Sequence, residues 1–256
     1  MRNLPLITLT VLCLSGVANA HGPAATRMAP KHEHKGGISP HADKAVLAPF
    51  DIVHAKITTE GNVAIFHMSV SGRAGISKPT PSGKLAGSQV FSYVWPTNVD
   101  AYKLGFEHGV GILALAVTAH PDFDDTPLFD ESGDANRGND GGLWHMHWVV
   151  LGPDEACGKG GLKVKDIAQG AQPRLPKTWP GLPLLLDSPG WQPSITASEV
   201  EVRVPFDDIA AINAASFDGV TAGLRVNASA HAPLLCVANV FKIASGNLSL
   251  PGKVNQ

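Results

Sequence analysis

The chain has 256 residues, with 20 Lys and Arg against 22 Asp and Glu, a formal net charge of −2 and only 6% aromatic residues. That balance argues against nucleic acid or an anionic membrane surface as the main partner. With 27 Gly, 20 Pro and little long helical periodicity, the composition favours a β-rich domain with many turns over a helical bundle.

Met1 to Ala20 reads as a secretory signal peptide. Arg2 supplies the basic start, Leu4 to Val17 the apolar stretch, and Ala18-Asn19-Ala20 the small-x-small cleavage pattern. Cleavage would leave a soluble, periplasmic or secreted protein beginning at His21, with no membrane anchor. No later segment approaches the ~18 consecutive apolar residues of a membrane span. Two cysteines would remain, Cys157 and Cys236. In an oxidising compartment the economical expectation is one disulfide between them, with two buried free thiols as the alternative.

Residues 21–45 are expected to form a flexible, His-rich arm holding His21, His32, His34 and His41. An N-terminal histidine offers its α-amine and ring nitrogen together, a chelate suited to Cu(II), and His32-Glu33-His34 offers another pair. From Phe50 the pattern changes. Asp51 to Thr58 and Asn62 to Ser71 alternate on either side of a Thr59-Glu60-Gly61-Asn62 turn signal, which predicts a β-hairpin. Ala64, Phe66, Met68 and Val70 share one face, and His67 lies on the other. Gln89 to Trp95 and Gly109 to Ala119 follow as strands, the second apolar on both faces and so expected at the centre of a sheet. Ala114, Ala116 and Thr118 share a face with His120, and their small side chains leave space beside it.

The loop 121–142 is acidic. Asp122, Asp124 and Asp125 lie close to His120 and are placed to ligate beside it or orient its ring, Asp122 or Asp124 being expected nearest. Asp130, Ser132, Asp134 and Asn136 put oxygen donors at every second position, as calcium loops do, although the bidentate glutamate of an EF-hand is missing. Leu143 to Leu151 is the next strand, ending in a turn at Gly152-Pro153-Asp154. Residues 157–193 look like long ordered connections. Glu199 to Pro205, Gly219 to Ala230 and Leu234 to Ala244 are strands, with a short helix over Asp207 to Ala214. The pattern predicts an all-β fold, β-sandwich or jelly-roll-like, with long Pro/Gly-rich loops and at most short helices, in a single domain over 46–256.

The sharpest chemical signal is Trp144-His145-Met146-His147-Trp148. Side chains alternate along a strand, so both imidazoles share one face and the tryptophans and Met146 take the other. Two unpaired imidazoles in a dry core would be costly, whereas with His120 they suit a divalent zinc or copper ion. His120 closes a strand whose neighbour across the Gly-rich loop would be the His-x-His strand, so the three rings are expected to converge on one ion.

His145-Met146-His147-Trp148 resembles the His-x-His-Trp strand of α-type carbonic anhydrases. That family's downstream third ligand and Glu-x-His strand have no counterpart here, and the four-residue likeness reads as local convergence. The segment DIVHAKITTEGNVAIFHMSVSG resembles the opening hairpin of DOMON-like and family-9 carbohydrate-binding β-sandwiches. That resemblance implies an exported module for haem or sugar, with Met68 or His67 as haem ligands and Trp144, Trp148, Trp179 and Trp191 as pocket residues. No nucleophile elbow, phosphate loop or dinucleotide fingerprint is present. Three functions therefore compete: an exported metal-binding protein for copper or zinc, a metal-dependent hydrolase or lyase, and a haem- or carbohydrate-binding module.

Overall fold

The alternation seen in the sequence is resolved by two apolar cores, one on each side of the same strands. The computed structural model describes residues 36–227 and 234–256, so the predicted signal peptide, His21, His32, His34 and His231 lie outside the described residues. The first hairpin pairs β1 (Ile52–Glu60) with β2 (Val63–Val70). Gly61 sits in its turn at φ +60°, a left-handed conformation that glycine adopts without steric cost. Next come β3 (Gln89–Pro96), β4 (Ile112–Ala119) and β5 (His145–Pro153). The connection that follows carries two short strands, β6 (Leu162–Val164) and β7 (Leu186–Asp187). Beyond it lie β8 (Ser194–Thr196), β9 (Glu199–Pro205) and the single-turn helix α1 (Ile209–Asn213), capped by the Asp208 side chain. The chain ends with β10 (Ser216–Phe217), β11 (Val220–Val226), β12 (Leu235–Ile243) and β13 (Gly252–Lys253).

One sheet has the order β1-β2-β9-β8; the other runs β4-β3-β11-β12-β6-β5-β7, and β4 also pairs with β5. That last pairing closes six strands, β4-β3-β11-β12-β6-β5, into a barrel. The all-β class stands, with helix confined to short turns. The predicted turn at 152–154 is instead the end of β5, because Gly152 and Pro153 pair with Lys163 and Leu162 of β6.

Odd and even residues of the shared strands face different cores. Leu113, Leu115, Val117, Met146, Trp148 and Val150 pack outward against Phe66, Met68, Val200 and Val202 of the four-stranded sheet. Their neighbours Ala114, Ala116, Val149 and Leu151 point into the barrel, beside Val90, Val94, Ala222 and Leu224. The hairpin face of Ala64, Phe66, Met68 and Val70 is buried as its period predicts. Met68 is fully enclosed there, packed in the outer core. His67 lies beside His54 and Glu199.

Residues 36–45, expected at the end of a flexible arm, are tied down. Ile38 bridges Ala55, Gly37 N–H donates to the Gln256 carbonyl, and Asp43 N–H donates to the Asp51 carboxylate. Main-chain pairing, which composition does not reveal, anchors this stretch. Asp51 itself is 2% exposed and is paired with Lys242 of β12. Lys242→Met would leave a buried carboxylate without its cation, at a cost of about 3 kcal/mol, read as a lower urea midpoint with an unchanged slope.

Cys157 and Cys236 lie at disulfide distance, with sulfurs 2.02 Å and Cα atoms 5.4 Å apart. No helix among the described residues is long and apolar enough to cross a membrane.

Candidate metal centre

The site forms where β4 and β5 run antiparallel in the barrel wall. Their register sets Thr118 opposite His145 and Ala116 opposite His147. The period of two turns both imidazoles inward, and the small side chains of β4 leave them room. His120, just past β4, has its backbone N–H on the Gly141 carbonyl, 2.7 Å away, and its ring stacked on Phe123 at 4.0 Å. The three histidines and Asp125 are all buried, at most 5% exposed. One ligand atom from each lies within 4.8 Å of all the others.

Each ring is fixed by a bond from its far nitrogen. His120 Nδ1 lies 3.0 Å from the Phe123 carbonyl and His145 Nδ1 lies 2.9 Å from the Leu143 carbonyl. A carbonyl only accepts, so both Nδ1 atoms carry hydrogen. His147 Nδ1 meets Ser188 Oγ at 3.0 Å, and that hydroxyl already donates to the Asp125 carbonyl at 2.7 Å. Ser188 must therefore accept from His147. All three rings thus turn Nε2 to the centre, and each offers a lone pair there when it is neutral.

These Nε2 atoms face an anion. Asp125 Oδ1 is 3.1 Å from each of the three Nε2 atoms. His120 Nε2 and His145 Nε2 are 2.9 Å apart, and Thr118 Oγ1 stands 3.1 Å from His145 Nε2. Neither Asp125 Oδ1 nor His147 Nε2 has a donor among the described residues. A proton can relieve one of these contacts; a divalent cation at the centre relieves all of them. The three carboxylate-to-ring spacings and the His120–His145 spacing are close to the ~3.3 Å edge of a tetrahedron whose ligands lie ~2.0–2.1 Å from the metal, and the other two fall within 4.8 Å. The four residues can therefore hold a metal ion, and three imidazoles with one carboxylate suit a transition metal better than calcium or magnesium.

The local fields differ from one group to the next. Burial opposes the charge on Asp125, yet the imidazoles of His120 and His147 hold its pKa well below the usual carboxylate range. Burial also opposes a charge on His120, but adjacent Asp125 outweighs it and raises that pKa. For His145 burial prevails and pushes the pKa down to about 4, so this ring is neutral and ready to ligate near pH 7.

The three convergent histidines are those expected from the sequence; the carboxylate is not. Asp122 turns away to accept from the backbone N–H groups of Ser82 and Gly83, each at 2.7 Å. Asp124 instead shapes the loop, accepting from the N–H groups of Thr126 and Asp140 at 2.8 Å. Holding Asp124 in this way leaves its neighbour Asp125 directed at the rings. Ser188 carries no sequence signal either. It follows β7, whose pairing of Asp187 with Trp148 brings it alongside His147.

The alternating oxygens at 130–136 also have another use. Asp130 accepts from the N–H groups of Gly133, Asp134 and Ala135, and Asp134 accepts from the Asn136 N–H and the Asn139 side chain. This is how Asp and Asn build turns, and it lends calcium no support.

Gly141 is a packing requirement of the centre. A Cβ there would lie 1.7 Å from the Phe123 carbonyl oxygen and 2.9 Å from His120 Nδ1. Gly141→Ala should displace the acceptor that orients His120. Disturbing an orienting partner typically costs about 10–100-fold in metal affinity, which a chelator competition would measure.

The centre opens on a chamber of about 310 Å³ inside the barrel. His120, Asp125 and His147 form one part of its described wall, and Val90, Val94, Ala116, Val149, Ala222 and Leu224 are among the rest. Trp144, Trp148, Trp179 and Trp191 are not among its described lining residues. Trp148 is enclosed in the outer core, while Trp144 and Trp179 donate to the Gly75 and Leu184 carbonyls. Comparison with protein-family models, curated proteins and solved structures gives no match.

Proposed function

We propose that this is an exported protein that binds one divalent transition-metal ion, zinc or copper, through His120, His145, His147 and Asp125. The observation that carries this reading is the convergence of three imidazole Nε2 atoms on one buried carboxylate oxygen. Without a cation, that arrangement places like electron density in contact in a low-dielectric interior, where it is most unfavourable. The bonds to Phe123, Leu143 and Ser188 hold the rings in the ligating tautomer before any ion arrives. Export is supported by the signal-like first 20 residues and by the cysteine pair. In this account the histidines of the arm, His21, His32 and His34, capture metal weakly.

Cobalt(II) substitution tests the coordination. Chelator-stripped protein given one equivalent of cobalt should develop the intense visible bands of a four-coordinate ion, and zinc should abolish them. Weak, octahedral-type bands that survive in His147→Ala would assign the metal elsewhere.

A further inference from the structure

We infer that the barrel chamber is a binding site for a monocarboxylate with an apolar body, such as a medium-chain fatty acid, whose head group reaches the metal ion. The inference rests on the metal reading above and extends it to the second occupant of the same site.

Charge comes first. A divalent ion held by three neutral imidazoles and one Asp125 carboxylate leaves the centre with one net positive charge. Among the described lining residues there is no other carboxylate and no Lys or Arg to balance it. An uncompensated charge facing an apolar space is strongly disfavoured, and a single anionic ligand neutralises it. Aspartate and imidazole already complete four positions, so the anion enters as a fifth ligand, an expansion that zinc sites accommodate.

Thr118 supplies the second contact. Its hydroxyl lies 3.1 Å from His145 Nε2 and lines the chamber. With an ion on that nitrogen the hydroxyl no longer has it as an acceptor and can donate to an incoming carboxylate oxygen. The chamber's other described hydroxyl, on Ser92, is engaged with the Ala222 carbonyl at 2.9 Å.

The rest of the wall calls for an apolar body. Val90, Val94, Val149, Ala222 and Leu224 offer hydrocarbon and no hydrogen-bonding side chain. The chamber measures about 310 Å³, whereas a dry cavity of about 150 Å³ holds benzene. A ligand of roughly ten non-hydrogen atoms follows from that comparison. Octanoate has this size. Val240, a lining residue 47% exposed, marks where the chamber meets solvent and gives a route for entry.

The test is calorimetric titration of octanoate into the full protein loaded with zinc, with metal content measured on the same sample. The expected result is saturable binding of one octanoate per chain, lost when the ion is stripped, and no binding of octylamine. Ala222→Leu fills the chamber from the wall opposite the metal and should weaken octanoate at least about tenfold while zinc is retained. Retained zinc reports that the barrel has folded; if Ala222→Leu does not fold, Leu224→Phe in the same strand replaces it. Thr118→Val should also weaken octanoate. Zinc present but no octanoate binding overturns the ligand inference and leaves the metal reading intact. Octanoate binding that is indifferent to zinc, or to both chamber substitutions, likewise overturns it. Failure to retain either zinc or copper overturns both.

Discussion

Replacing His145 and His147 together with alanine should take the protein from one bound ion to none. The two rings supply half of the four donors, and they are the half fixed by a continuous strand, because β5 presents them at alternate positions opposite Ala116 and Thr118. A structural zinc site contributes roughly 10–16 kcal/mol of binding, so losing two ligands should weaken affinity by several orders of magnitude. The strand should survive, since its other face, Met146, Trp148 and Val150, stays packed in the outer core. An unchanged far-ultraviolet circular dichroism spectrum would verify this. Asp122→Ala is the matched control. Its carboxylate serves the backbone N–H groups of Ser82 and Gly83, so its loss should leave metal content untouched.

The second large effect concerns the seam of the barrel. β6 is three residues long, yet it is the strand that joins β5 to β12. Among the described residues it pairs with β12 through Val164–Leu235 and Lys163–Cys236, and with β5 through three residues. Few main-chain bonds therefore hold the closure. Cys236 lies in that register, and its bond to Cys157, 79 residues earlier in the chain, fastens β12 to the turn after β5 across the same seam. In the chain-entropy model, closing a loop of this length stabilises the fold by about 4–5 kcal/mol. Serine at both positions should lower chemical stability by about that amount, and reducing agent should do so in the parent but not in the variant. A loss under about 1 kcal/mol would mean that the seam does not depend on the disulfide.

Much of the site was legible because strand periodicity is a strong constraint. His145 and His147 share a face whatever the remainder of the chain does, and the small residues preceding His120 signalled room beside them. The same alternation places Trp148 and Met146 in the outer core and Val149 in the barrel. The choice of carboxylate was not legible. Asp122, Asp124 and Asp125 are chemically alike, and Asp125 is selected by where Asp124 finds N–H donors, at Thr126 and at distant Asp140. Barrel closure was equally hidden. It depends on strands of two and three residues, too short for a period to show, set in a Pro- and Gly-rich stretch that reads as connection. Ser188 follows from that same closure, because β7 carries it to His147. The distance between chemistry and sequence is widest there, 41 residues along the chain from the ring it orients.

The most direct test of the central claim is elemental analysis of the protein expressed without a histidine tag. The expected result is one equivalent of zinc or copper per chain, lost to a strong chelator and restored by adding back the ion, and lost for good in the His145→Ala, His147→Ala variant. A parent protein that holds no stoichiometric metal, as isolated and after incubation with excess zinc or copper, would contradict it. So would a double variant that binds as much as the parent.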